Sequence, residues 1–112
     1  MGLPSDNQTW LIDEGHEVIT KKAERGIENL SDRERLIYCL WVADYGVRNA
    51  GDLETASDLY PPFQKEAAEL AAKLWLGFVA ESFSLPGPLL EQQYFERFER
   101  ICDDLRQVRD QA

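Results

Sequence analysis

One stretch of the chain decides the fold: residues 36–51, LIYCLWVADYGVRNAG. Apolar side chains point in nearly every direction around a helix built from this stretch, which predicts a helix enclosed by the rest of the protein. Just before it, Ser31 and Glu34 form the S-x-x-E pattern of a capping box, in which each side chain accepts from the other residue's backbone amide. Gly51 ends the stretch, because glycine adopts the left-handed conformation of a helix terminus without steric cost. We therefore predict a central helix over about residues 32–49.

Amphipathic patterns on both sides of this helix predict further helices, and strand signals are almost absent. The breaker Ser-Leu-Pro-Gly-Pro at residues 84–88 separates the last two long helices, because two prolines flanking a glycine cannot continue a helix. The predicted helices cover about residues 9–30, 32–49, 53–60, 62–83 and 88–109, after a tail over about residues 1–8. The expected fold is all-α: one domain over residues 1–112, a bundle of four main helices plus one short helix.

The apolar stripe of each outer helix identifies the side chains that we expect in the core. In the first helix the stripe is Ile12, His16, Ile19, Ala23, Ile27 and Leu30. In the third long helix it is Phe63, Ala67, Leu70, Ala71, Leu74 and Phe78, widened by Trp75 and Val79. In the last helix it is Leu90, Tyr94, Phe98, Ile101, Leu105 and Val108. His16 should accordingly be half-buried and donate to a neighbouring carboxylate.

The charge is unbalanced, with 21 acidic against 12 basic residues and a formal net charge of -9. This disfavours direct binding to nucleic acid or to an anionic membrane, because both draw their affinity from clustered Lys and Arg. It favours a basic protein partner, although like charge also simply keeps a protein in solution. The candidate interaction surface consists of acidic residues in stretches without a compensating base: Asp13, Glu14, Glu17, Asp52, Glu54 and Asp58. Alternatively, these charges are dispersed over a solvated surface.

Catalytic and cofactor motifs are not found, so we expect no enzyme activity, no cofactor and no metal site. The chain has one histidine and two cysteines, too few for the usual zinc or di-iron ligand sets. Cys39 and Cys102 lie in apolar helical patterns and should be buried free thiols. A secretion signal and an apolar segment of bilayer length are also not found, which predicts a cytoplasmic protein.

Asp44 is the most informative carboxylate, because it lies inside the most apolar helix and a buried charge must be satisfied. Arg48, four residues later on the same face, is the expected partner, with Tyr45 or Tyr94 as a further donor. The residues Asp44, Arg48 and Asn49 could instead line a functional cleft at the end of the central helix.

Residues 36–51 resemble the core helix of a bacterial family of small, acidic, all-helical proteins that includes a DNA-mimic protein. In that family an apolar, aromatic helix runs into a Val-x-Asn-Gly-Gly turn, and here Val47-Arg48-Asn49-Ala50-Gly51 differs from the turn by Ala50. The aromatic residues that usually follow the turn are replaced by Asp52-Leu53-Glu54. The resemblance implies a non-enzymatic protein whose acidic surface occupies the DNA-binding face of a basic protein.

Three functions are therefore open. The first is an acidic interaction protein that docks on a basic, for example DNA-binding, protein. The second is a small helical enzyme or ligand-binding module that uses Asp44 and Arg48. The third is a subunit of a helical homo-oligomer, such as a homodimer, that buries surplus apolar residues including Trp10, Leu11 and Leu89.

Overall fold

The structure is a computed structural model, and it describes residues 6–108. Within this range the chain forms six α-helices and one 3-10 turn, with no strand, around a single core. The helices are α1 (Asp6–Arg25), α2 (Asp32–Ala50), α3 (Glu54–Leu59), α4 (Phe63–Lys73), α5 (Gly77–Phe83) and α6 (Gly87–Arg106), and the 3-10 turn covers Ile27–Asn29. The predicted all-α bundle is confirmed, with one difference: the long helix predicted over about residues 62–83 is divided into α4 and α5.

The central position of α2 is confirmed, since α1, α3, α4 and α6 all pack against it. Both ends follow the sequence signals. The Ser31 hydroxyl accepts from the Glu34 amide at 3.1 Å, and the Glu34 carboxylate accepts from the Ser31 amide at 2.8 Å. Gly51 has a φ of 79° and donates its amide to the Val47 carbonyl, which closes the last turn of α2. The capping residues therefore determine where α2 begins and ends. The other helices pack against its apolar surface.

The first helix differs from its prediction in extent and in the face that it buries. It is already helical at Asp6 and ends at Arg25, where Gly26 takes a φ of 86°. The predicted tail falls partly within α1, and residues 1–5 lie outside the described range. The predicted stripe is wrong for Ile12, Ala23 and His16, which are exposed, so the expected half-buried histidine is also wrong. The buried residues are Asn7, Leu11, Gly15 and Val18.

Two contacts explain why α1 buries a different face from the predicted one. A Cβ at Gly15 would lie 3.0 Å from Trp41 Cγ and closer still to Cδ1, so the indole requires a glycine at this position. The Asn7 amide donates to the carboxylates of Glu99 at 2.8 Å and Asp103 at 3.0 Å, which fixes the start of α1 against α6. A prediction from hydrophobic periodicity does not treat glycine or asparagine as core residues. It therefore placed a different face of α1 in the core.

The single long helix predicted over about residues 62–83 is two helices, because the chain turns at Trp75. The Trp75 backbone is left-handed, with a φ of 62°, and α5 begins only at Gly77. Phe63, Ala67 and Val79 are buried as expected, but the Trp75 side chain is 93% exposed instead of widening the apolar face.

The last helix follows its prediction most closely. Five of its predicted core residues are buried, namely Leu90, Tyr94, Phe98, Ile101 and Leu105. It ends at Arg106, so Val108 lies beyond the helix and is half-buried, while residue 109 is outside the described range. Cys39 and Cys102 are buried free thiols, as predicted. Of the described helices, none combines the length and apolarity that a bilayer crossing demands.

Candidate functional site

The predicted cleft residues Asp44, Arg48 and Asn49 line one cavity of about 280 Å³ between α1 and the second half of α2. The remaining walls come from Gln8 and Ile12 of α1 and from Trp41 and Tyr45 of α2. We call this cavity the α1–α2 cleft. It exists because Trp41, Tyr45 and Arg48 are spaced at helical intervals and project from α2 toward the side on which α1 packs.

Asp44 lies at the base of the α1–α2 cleft with its charge fully satisfied. Arg48 Nε is 2.8 Å from Asp44 Oδ1 and 3.0 Å from Oδ2, and the Tyr94 hydroxyl donates to Oδ1 at 2.7 Å. Of the two tyrosines considered from the sequence, Tyr94 is the donor. Burial raises the pKa of Tyr94 well above its usual value, and the nearby Asp44 charge adds to this effect. Tyr94 therefore stays protonated and acts as a donor to the carboxylate.

Arg48 is held from two directions. Asp44 pairs with its Nε, and the guanidinium carbon lies 4.9 Å from the ring centroids of both Phe95 and Phe98. Asn49 is exposed, and its side-chain amide donates to the Tyr45 carbonyl at 2.9 Å. Every polar group expected in the cleft thus has a partner within the protein. Among the described residues, His, Cys, Asp and Glu form no group that could hold a metal ion.

Two of the residues that line the α1–α2 cleft are exposed apolar side chains. Ile12 and Tyr45 line it with 48% and 43% of their surfaces exposed, and Phe95, 54% exposed, lies against the Arg48 guanidinium. We call these three residues the cleft rim. The Trp41 indole stacks on the Tyr45 ring, with centroids 5.5 Å apart and an interplanar angle of 24°, which holds the rim in place from below. Sequence reasoning missed the rim, since Ile12 was assigned to the core and Phe95 lies outside the apolar stripe predicted for the last helix.

The six predicted acidic residues fall into two groups on different helices. Helix α1 packs on α2 at Trp41, whereas α3 packs at Gly46, where a Cβ added to the glycine would lie 3.0 Å from the backbone atoms Ala56 N and Asp52 O. Five residues of helix correspond to a rotation of about 140°, so α1 and α3 lie on different sides of α2. Asp13, Glu14 and Glu17 belong to α1, and Asp52, Glu54 and Asp58 belong to α3 and the turn before it.

The two acidic groups also differ in what they do locally. Among the described residues, no ion pair involves Asp13, Glu14 or Glu17, which leaves three unpaired carboxylates in the middle of α1. Asp52 instead caps α3, because its carboxylate accepts from the Glu54 amide at 3.1 Å and the Thr55 amide at 3.3 Å. Carboxylates therefore remain available to a partner in both groups, namely all three in α1 and those of Glu54 and Asp58 in the α3 group.

Comparisons with protein-family models, with curated proteins and with solved structures each found no match. Any functional proposal must therefore come from the chemistry of the described surface itself.

Proposed function

We propose that this protein is a non-enzymatic interaction protein that docks a basic protein partner on the cleft rim. One observation carries the proposal. The described residues expose five large hydrophobic side chains; two of these, Ile12 and Tyr45, line the α1–α2 cleft, and a third, Phe95, lies against Arg48 in its wall. Exposed aromatic and aliphatic residues gathered around a concavity are typical of a protein-binding surface, whereas scattered ones are not.

The charges around the rim favour a basic partner. Asp13 follows Ile12 on α1, and Glu91 and Glu99 stand one helical turn before and after Phe95 on α6. The basic residue at the rim, Arg48, is already paired with Asp44. A partner that presents an apolar side chain among Lys or Arg residues would be complementary in both shape and charge. The resemblance of α2 to a family with a DNA-mimic member supports a DNA-binding protein as that partner.

A small-molecule function in the same cleft has weaker support. The cavity is just below the size range of ordinary ligand sites, and its buried carboxylate is bound to Arg48 and Tyr94. Asp44→Asn separates the two functions. A ligand that binds through the carboxylate would be lost in this variant, whereas docking on the rim would persist in the folded protein.

The test is affinity capture from a bacterial lysate with the wild-type chain and two matched variants. Phe95→Ser removes a rim residue, and Leu59→Ser removes a side chain of similar exposure, 49%, from α3, away from the cleft. A basic protein should be retained by wild type and by Leu59→Ser and released at about 500 mM salt, where charge attraction is screened. Its affinity for Phe95→Ser should fall at least about tenfold, the effect of losing an interface anchor.

Two results would contradict the proposal. One is equal retention of the same proteins by Phe95→Ser and by wild type. The other is a set of captured proteins without an excess of basic residues, because the proposal expects a partner that is basic.

A further inference from the structure

Trp75 occupies a backbone position that favours glycine. Its amide donates to the Ala72 carbonyl at 3.2 Å, and the next amide, of Leu76, donates to the Ala71 carbonyl at 2.9 Å. These two bonds define the Schellman motif that ends α4, with Trp75 at its left-handed position. Among the described residues, Trp75 is the one non-glycine residue with a positive φ, at 62°. Any Cβ is strained in this conformation, so the chain is locally less stable here than it would be with glycine.

The Trp75 side chain does not offset this strain by packing within the protein, because 93% of its surface is exposed. It borders a cavity of about 310 Å³ whose walls include Phe78 of α5 and Arg100 and Asp104 of α6. A strained residue with a large exposed apolar side chain beside a cavity is typical of a binding site rather than of core packing.

The charges beside Trp75 indicate what binds there. Arg100 lies over the Phe78 ring at 4.1 Å, and Asp104 is one turn further along α6. Within the described part of the chain, neither Arg100 nor Asp104 takes part in an ion pair. The patch thus combines a protruding ring, a cavity, one cation and one anion. Such a patch is complementary to a copy of itself, whereas the cleft rim is flanked mainly by acidic residues.

We infer that the Trp75 patch, consisting of Trp75, Phe78, Arg100 and Asp104, is a self-association surface that takes a second copy of this chain. Around a two-fold axis, each Trp75 would enter the cavity of the other copy, and each Arg100 would meet the other Asp104. Two tryptophans bury only a few hundred Å², less than the roughly 1,200 Å² of a stable interface, so the dimer is weak and forms at high concentration. This inference concerns a different surface from the proposed docking site and is independent of it.

The salt dependence distinguishes the two surfaces. Each copy carries a formal net charge of -9, so two copies repel each other until salt screens their fields. Salt also screens the two exposed ion pairs, which orient the two copies rather than supply most of the affinity, whereas like charges brought face to face at these contacts would oppose the dimer. Self-association should therefore strengthen as salt rises, whereas docking of a basic partner should weaken.

Sedimentation velocity of the full chain, from about 10 μM to about 1 mM at low and high salt, tests the inference. Wild type and Leu59→Ser should shift from monomer toward dimer as concentration and salt rise. Trp75→Gly should stay monomeric, and its thermal midpoint in dilute solution should be about 2–5 °C higher because the left-handed strain is relieved. Loss of the dimer together with a more stable monomer cannot result from misfolding.

A charge swap tests the identity of the partner. Arg100→Asp alone places two like charges at each contact and should weaken the dimer, as should Asp104→Arg alone. The double variant restores opposite charges across the axis and should recover the dimer. A monomeric wild type under every condition would overturn the inference, as would a Trp75→Gly variant that dimerises like wild type. Failure of the double variant to recover the dimer would overturn the pairing of the two copies.

Discussion

The two buried thiols should make the protein lose stability in mildly alkaline solution. Cys39 and Cys102 are each fully enclosed in the core. Burial raises the pKa of both thiols above the usual range, and nearby acidic groups add to the rise, with Glu66 the main one for Cys39 and Glu99 for Cys102. In the unfolded chain the same thiols ionise with an ordinary pKa of about 8.5.

The size of the effect follows from proton linkage. Because the native pKa is raised, the folded protein keeps two protons that the unfolded chain releases above pH about 8.5, so the free energy of unfolding falls as pH rises. At pH about 9.5 each thiol contributes a loss of about 1.4 kcal/mol, or about 3 kcal/mol for the pair. This is a large part of the roughly 5–15 kcal/mol by which a domain is stable. Below pH about 8 the contribution is fully retained.

Urea denaturation between pH 7 and about 9.5, with a phosphine reductant to prevent disulfide formation, measures this loss. Tyr38, Tyr60 and Tyr94 also have pKa values raised by burial in the folded protein and lower its stability in the same direction. Because unfolded tyrosine ionises only near pH 10, each adds at most about 0.2 kcal/mol at pH about 9.5. In the Cys39→Ala/Cys102→Ala double variant the loss over this window should fall from about 3 kcal/mol to about 0.5 kcal/mol, which the tyrosines contribute. Equal slopes for wild type and the double variant would refute the assignment to the thiols.

Three further substitutions test the packing that supports the site. Gly15→Ala should lower the free energy of unfolding by up to about 2 kcal/mol, because overlap with the Trp41 indole outweighs the helix propensity of alanine, and a gain in urea stability would contradict this contact. Tyr94→Phe should cost about 1.5–3 kcal/mol by removing the donor to Asp44, and an unchanged denaturation midpoint would show that the bond contributes nothing. Ser31→Ala should cost about 1 kcal/mol through loss of the cap of α2, measured by the same assay, with no change in midpoint as the contrary result.

The site was predictable where its contacts are local. The Asp44–Arg48 pair is a four-residue interval within one helix, and it follows from the sequence alone. Phe95 could not be assigned to the same site, because its distance from Arg48 depends on how α6 is rotated against α2. The grouping of the acidic residues also depends on tertiary packing, which brings α1 and α3 to different sides of α2.

The sequence by itself determined the all-α class, the central position of α2 and the ends set by Ser31 and Gly51, because capping and apolar density act over a few residues. Only the tertiary structure decided which face of α1 is buried, since Gly15 matters through the indole packed against it. It also decided that the chain turns at Trp75, where packing of α4 and α5 overrides a continuous helical pattern. Both outcomes depend on partners distant in sequence, and local propensity contains no information about them.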